Sequence, residues 1–393
     1  MAWFSFDQRA LKQIDWWLIA GILVLTAFGI LVIYGTTYDV EYKAHYPKRQ
    51  MVWWAISLAV FVFILFFDYG QVMKLAVPAY LICLVLLVGL LRQKGIAVKG
   101  AASWYNLHGV RFQPSEFTKI AVVLMTATYL ARIKVRLPGW ADLAVVAGLI
   151  LLPCVLIALQ PDLGTAATFL PLIVVMPWAA GAARRIYIIL FGIAFLAAVA
   201  YGGAVVVRGG DFPFLKPYQK ERLRAFLAEV LPGHTLELAG GGLADSIRQK
   251  GEWAPLQSRI ALGSGRLWGR GWGQGTQTRR EFLPEAHTDY IFASCGEQFG
   301  FAGCTLVLAL YAFLVYRSLF LALRAKDWLG YLLVMGFLTV FITHIALNIG
   351  VATDVLPVTG LPLPFLSSGG SFLLTSYIGF ALIVNVGMRK YVF

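Results

Sequence analysis

Apolar residues run along this chain in long blocks rather than in short alternation. A helix needs ~20 mostly apolar residues to cross a bilayer. Ten blocks meet or approach that length, at residues 16–34, 51–67, 75–91, 113–131, 141–159, 163–180, 186–207, 290–316, 328–350 and 365–388. They predict an all-α, polytopic integral membrane protein with about ten transmembrane helices. The fifth and sixth blocks meet at Gln160-Pro161-Asp162 with almost no loop between them. Trp16, Trp17, Trp53, Trp54, Trp140, Trp178 and Trp328 lie near block ends, as in an aromatic belt at headgroup level.

The polar positions concentrate in one place. Residues 208–289 form a stretch of 82 residues between the seventh and eighth blocks, holding 12 of the 33 basic and 9 of the 20 acidic residues. Lys216 to Leu227 has the charged and apolar faces of an interfacial helix. The middle, Pro232 to Gly251, is glycine-rich, and Gly263 to Gly275 is richer still. The whole chain, 1–393, reads as a single transmembrane unit carrying this one large extracytoplasmic loop.

Composition closes off other classes. Of 393 residues, 59% are hydrophobic and 13% charged, whereas a soluble chain is nearer half apolar and a quarter charged. Soluble, disordered and fibrous proteins are excluded. The net charge of +13 is scattered among loops without a basic helix or aromatic nucleic-acid motif, so the acidic partner expected is anionic membrane lipid rather than nucleic acid. Cys83, Cys154, Cys295 and Cys304 sit inside apolar blocks without metal-ligand spacing, and no disulfide framework is expected. The first block reads as a membrane helix rather than a signal peptide. With both termini cytoplasmic, the inside segments hold 13 Lys and Arg and the short outside loops 7, in keeping with the positive-inside bias.

Ionisable residues at membrane depth are costly and are functional candidates by default. Glu116 and Lys119 are three residues apart and share a helix face as an ion-pair candidate. The plain alternative is a helix start, with Pro114 in the first turn and Glu116 suiting the dipole. Asp162, at the junction of two blocks, is a natural N-cap. Glu281, Glu285, His287 and Asp289 stand directly before the eighth block. A carboxylate at such an edge is partly desolvated and makes a better base; the plain alternative is a solvated segment with Asp289 as N-cap. Glu285, His287 and Asp289 can also hold a divalent cation, a weaker reading because no preorganised ligand set is visible. The run Gly263 to Gly275 lacks a P-loop ending. With Arg266 and Arg270 it can still offer amides and guanidinium groups to a diphosphate, or be a plain mobile loop. Residues 356–371 carry three prolines and three glycines at a membrane edge, and irregular backbone there is tolerated only when buried in protein or lining a wet cavity.

Together these segments resemble the SEDS family (shape, elongation, division and sporulation). The stretches that carry the resemblance are Phe112 to Lys119, Gln160 to Thr165, Gln257 to Gln277, Phe282 to Asp289 and Leu356 to Ser367. Several long motifs in the right order make it specific, and it leans to the elongation rather than the division branch. It implies a peptidoglycan glycosyltransferase polymerising lipid II in cell elongation and rod-shape maintenance. The implied setting is the bacterial cytoplasmic membrane, with the active face outside. Implied partners are a class B penicillin-binding protein and other elongation-complex membrane proteins, and no cofactor is expected. By motif position Asp289 and Glu281 are the implied catalytic residues. Arg111, Glu116, Lys119, Asp162, Gln277, Glu285 and His287 are the implied substrate contacts. The chain departs from the family pattern at Ser103, where Arg is frequent, and at Ser368, where Tyr is frequent. The rival readings are a lipid II flippase and a non-catalytic scaffold for a transpeptidase.

Overall fold

The computed structural model describes residues 12–37, 43, 45–93, 96–98, 101–107, 110–133, 139–189, 192, 196 and 253–389. Its helices are α1 Trp16–Thr37, α2 His45–Leu65, α3 Tyr69–Lys74, α4 Ala76–Gln93, α5 Pro114–Arg132, α6 Trp140–Leu159, α7 Leu163–Ala167, α8 Leu170–Ala179, α9 Trp253–Ser264, α10 Thr276–Arg279, α11 Ile291–Leu323, α12 Trp328–Ala352 and α13 Gly370–Met388. Among the described residues six helices (α1, α2, α6, α11, α12, α13) are long and apolar enough to cross a membrane. α4 and the α7–α8 pair are shorter apolar helices. The polytopic helical fold is therefore as the hydropathy pattern predicts. The seventh block falls mostly outside the described residues, as do the interfacial helix expected at 216–227 and the glycine-rich middle at 232–251.

Several boundaries differ from expectation for local reasons. α2 starts at His45 rather than 51 because its first turns hold His45, Lys48, Arg49 and Gln50, which an apolar window passes over. The sixth block is two helices, not one. Pro171 has no N–H to give the Ala167 carbonyl, and the turn tightens to three-residue bonds, Thr168 N to Thr165 O and Phe169 N to Ala166 O, both 3.1 Å. α13 starts at Gly370, not 365, because the residues before it stay irregular. Trp53 and Trp54 are half-buried against the core, and Trp54 Nε1 donates to Tyr377 OH at 2.7 Å.

One element was not anticipated. A three-stranded antiparallel sheet, β1 Ile96–Val98, β2 Ala101–Leu107 and β3 Val110–Phe112, stands between α4 and α5. Val98 pairs with Ala101 and Leu107 with Val110. Tyr105 OH ties the sheet to α4 through the Leu86 carbonyl at 3.0 Å.

α13 is the central helix, with 83% of its apolar window buried inside the protein, against α2, α5, α11 and α12. Buried charged and amide side chains near the helix ends find partners. Asn385 donates to the Ile64 and Phe67 carbonyls at 3.0 and 2.6 Å, and Asp15 pairs with Arg317. Residues 253–290 and 353–369 lie together at one end of the bundle, here termed the loop end, where α5 begins and α2 begins.

Candidate active site

The loop end is built on a break in α11. Gly300 leaves the helix with φ 67° and ψ −162°, a region where only glycine sits without strain. The break separates the Glu297 and Gln298 carbonyls from their helical donors. The glycine run takes over: Arg270 N and Gly271 N donate to the Glu297 and Gln298 carbonyls at 2.9 and 3.1 Å. In exchange, Phe301 N and Ala302 N donate to the Arg266 and Leu267 carbonyls at 2.8 and 3.0 Å. A Cβ at Gly269 would lie 2.1 Å from the Gln298 carbonyl oxygen, so glycine there serves close backbone approach. The amides of Arg270 and Gly271 are thereby committed to α11 and are not open to a diphosphate, which leaves that part of the cradle reading to the guanidinium groups of Arg266 and Arg270.

The buried Glu297 carboxylate extends the docking. It accepts from Gln277 N at 2.7 Å and Thr278 N at 3.1 Å. Gln277 is thereby fixed by its backbone, while its Oε1 is buried with no hydrogen-bond partner. Glu281, at φ 58°, pairs with Lys43 at 2.8 Å.

Residues 285–290 are docked on the irregular segment before α13. Ser368 N donates to the His287 carbonyl at 2.9 Å, Ser367 Oγ to the Thr288 carbonyl at 2.6 Å, and Asn348 Nδ2 to the Asp289 carbonyl at 2.8 Å. Asn348 Nδ2 also donates to the Leu361 carbonyl at 2.7 Å. Gln50 of α2 clasps the same segment, donating to the Ser367 carbonyl and accepting from Gly369 N, both at 3.2 Å. A Cβ at Gly360 would stand 3.7 Å from Asp289 Oδ2, which places the half-buried carboxylate over the left-handed turn at Gly360, φ 72°. Glu285 accepts from Thr288 Oγ1 at 2.9 Å. The His287 ring is buried against Tyr46, centroids 4.2 Å apart. Among the described residues no group of three or more His, Cys, Asp or Glu side chains is placed to hold a metal ion.

A second cluster lies within the helices. Glu116 and Lys119, 2% and 5% exposed, form an ion pair at 2.8 Å. Thr375 Oγ1 donates to Glu116 Oε2 at 3.5 Å, and Lys119 Nζ lies 2.8 Å from His344 Nε2. They line a cavity of about 50 Å³ whose walls include Phe337, Phe341 and Phe372. Arg111 is exposed on β3, and its carbonyl accepts from Ser371 Oγ of α13 at 3.4 Å. Asp162 acts as the N-cap of α7, accepting from Thr165 N at 3.0 Å, and its second oxygen accepts from Gln113 Nε2 at 3.3 Å.

The structure thus brings Glu285, His287 and Asp289 together on one segment and Glu116 with Lys119 in another cluster. Glu281, Gln277, Arg111 and Asp162 each take different immediate partners. His344, Asn348 and Glu297 were missed by the sequence reading. Each is a polar residue inside an apolar block, the signal that singled out Glu116 and Lys119.

Long apolar helices around buried polar clusters make this a polytopic membrane protein. Comparison with known proteins narrows the class. A model of the FtsW, RodA and SpoVE family of cell cycle proteins matches residues 15–392, and the chain belongs to that family, in line with the SEDS motifs. Peptidoglycan glycosyltransferase MrdB of Escherichia coli strain K12 is 36% identical over 321 residues, covering 79% of this chain and 77% of that protein. Peptidoglycan glycosyltransferase RodA of Treponema pallidum is 29% identical, covering 97% and 99%. Among solved structures, a chain of a peptidoglycan synthase complex coordinating polymerization and crosslinking aligns at a TM-score of 0.76 with 29% identity, covering 96% and 98%. The rod shape determining protein RodA of Thermus thermophilus aligns at 0.67 with 25% identity, covering 97% and 98%.

Proposed function

We infer that this chain is a peptidoglycan glycosyltransferase that polymerises lipid II into glycan strands during cell elongation and rod-shape maintenance. The reaction joins an acceptor sugar hydroxyl to the anomeric carbon of a donor sugar. The bond from that carbon to the lipid diphosphate breaks, and the hydroxyl proton leaves. The hydroxyl is a poor nucleophile, and a positioned carboxylate taking its proton contributes ~10²–10⁴-fold. In this reading Asp289 is that base and Glu281 supports it. The departing diphosphate gains negative charge, which Lys119 and Arg111 stabilise. Asp162, Gln277, Glu285, Glu116 and His287 shape the substrate's surroundings. The reading needs no cofactor.

The observation that carries it is the docking of residues 287–289 through three consecutive carbonyls, which holds Asp289 at the loop end of the bundle. The loop end faces outward in the bacterial cytoplasmic membrane, with both termini inside, an orientation supported by the count of 13 against 7 basic residues. The partner is a class B penicillin-binding protein, supported by the likeness to a chain from a synthase complex. Other elongation-complex membrane proteins and anionic lipid surround it.

The test is glycan polymerisation by purified full chain with lipid II, with and without a class B transpeptidase, comparing wild type with Asp289→Asn. Long strands from wild type and none from the variant support the reading. Strands from Asp289→Asn at the wild-type rate refute the base assignment. Absence of strands from wild type with the partner present favours the flippase, which a lipid II translocation assay in vesicles then measures.

A further inference from the structure

α12 carries a histidine, His344, within the cavity wall beside Lys119. His344 is 1% exposed at a depth where burying an imidazole without partners is costly. Both ring nitrogens have partners on different elements. Nε2 lies 2.8 Å from Lys119 Nζ of α5, and Nδ1 lies 3.4 Å from the Pro362 carbonyl. An ammonium has only hydrogens to give, so Nε2 is the acceptor and the ring hydrogen sits on Nδ1, toward Pro362. Lys119 therefore spends one N–H on Glu116 and one on His344. Its Nζ also stands 5.4 Å from the centroid of Phe372, which packs on the His344 ring at 4.9 Å. With two bonds at 2.8 Å and an aromatic face, the ammonium is held at one point of the cavity wall.

The same face of α12 reaches the other cluster. Asn348 is one turn beyond His344, at the spacing that stacks two side chains on one face. It bonds the Leu361 carbonyl, adjacent to the Pro362 carbonyl that His344 contacts, and the Asp289 carbonyl. A continuous set of contacts thus joins Lys119, His344, residues 361–362, Asn348 and the backbone of Asp289.

We propose that His344 is a positioning residue for glycosyl transfer, fixing the Lys119 ammonium in the cavity and holding it in register with the Asp289 segment. The proposal rests on the glycosyltransferase reading above. It assigns no contact between His344 and substrate.

The experiment is steady-state lipid II polymerisation by the full chain with its class B transpeptidase, alongside thermal midpoints in detergent. His344→Phe keeps the ring volume and loses both polar contacts. His344→Gln extends an amide oxygen far enough to accept from Lys119. His344→Asn reaches toward Pro362 but falls short of Lys119. The expected result is a fall in kcat of about a hundredfold for the Phe and Asn variants, the size of effect that a misplaced catalytic group produces. KM stays within about threefold, as for an interaction made in the transition state. His344→Gln restores most of kcat. In a Lys119→Met background, His344→Phe brings no further loss, because residues acting through one another are non-additive. Wild-type kcat in the Asn variant, or a full additional loss on top of Lys119→Met, overturns the proposal. If the Phe variant does not fold, the Asn and Gln pair decides alone. Failure of wild type to polymerise, or full activity of Asp289→Asn, overturns the underlying reading instead.

Discussion

Replacing Glu116 with Ala removes one half of a charge pair that the bundle has almost wholly withdrawn from solvent, the two side chains being 2% and 6% exposed. Lys119 then keeps its charge beside the His344 nitrogen and the Phe372 face. Breaking a buried pair from one side costs about 3–5 kcal/mol, because the remaining charge stays desolvated. Lys119→Met is expected to cost a similar amount by stranding the carboxylate. The double variant Glu116→Ala, Lys119→Met strands neither charge and is expected to recover most of the loss, since an apolar replacement of a buried pair is often near neutral. Thermal unfolding in detergent reads this directly. At ~2 °C per kcal/mol, the lower end for larger chains, each single variant falls by about 6–10 °C. A Glu116→Ala midpoint equal to wild type would refute the reasoning, as would a double variant whose loss equals the sum of the two singles.

Three further outcomes follow from the geometry. Asn348→Leu leaves the Asp289 and Leu361 carbonyls without their shared donor, at about 1–3 kcal/mol for each buried acceptor left unpaired. Polymerisation is expected to fall at least about tenfold by the conversion of such an energy, and amide exchange across 285–290 to quicken; an unchanged rate and exchange pattern argue against the clamp. Gly29→Ala puts a Cβ 2.7 Å from the Phe365 carbonyl oxygen and Leu366 Cα, and should cost about 1–3 kcal/mol in the melt. Gly148→Ala, mid-helix with nothing within 4 Å, is the strain-free control and should raise the midpoint slightly. Glu297→Ala removes the acceptor of Gln277 N and Thr278 N, so trypsin should cleave at Arg266 and Arg270 faster than in wild type, and equal rates refute the docking role.

The membrane helices were legible because the hydrophobic demand of a bilayer is a property of composition over ~20 residues, which a linear reading measures well. The sheet at 96–112 was not, because strands of three to seven residues carry little periodicity. Glu116 and Lys119 were found as a pair because i, i+3 spacing is local. Their third partner, His344, lies 225 positions from Lys119, and only folding shows that contact. The glycine run shows the opposite limit. Its composition suited a ligand cradle, and the break at Gly300 commits two of its amides to displaced carbonyls instead. Proline and glycine announce irregular backbone without saying which acceptors that backbone will satisfy.

The way Asp289 is held bears on how sharply its chemistry can be tested. The bonds from Ser368, Ser367 and Asn348 reach the carbonyls of residues 287, 288 and 289, so none of the three draws on a side chain of the docked segment. A change at the Asp289 carboxylate therefore leaves these anchors in place. Asn at 289 matches the carboxylate in size and keeps a carbonyl-type oxygen, so the turn over Gly360 should persist. It removes the negative charge and, with it, the ability to act as a base. Loss of polymerisation with an unchanged melting midpoint would then report on the carboxylate's own chemistry, its charge and basicity, whereas loss accompanied by a lower midpoint would report on docking. Substitutions at Ser367 or Asn348 should give the second pattern, and contrast with Asp289→Asn separates the base from its scaffold.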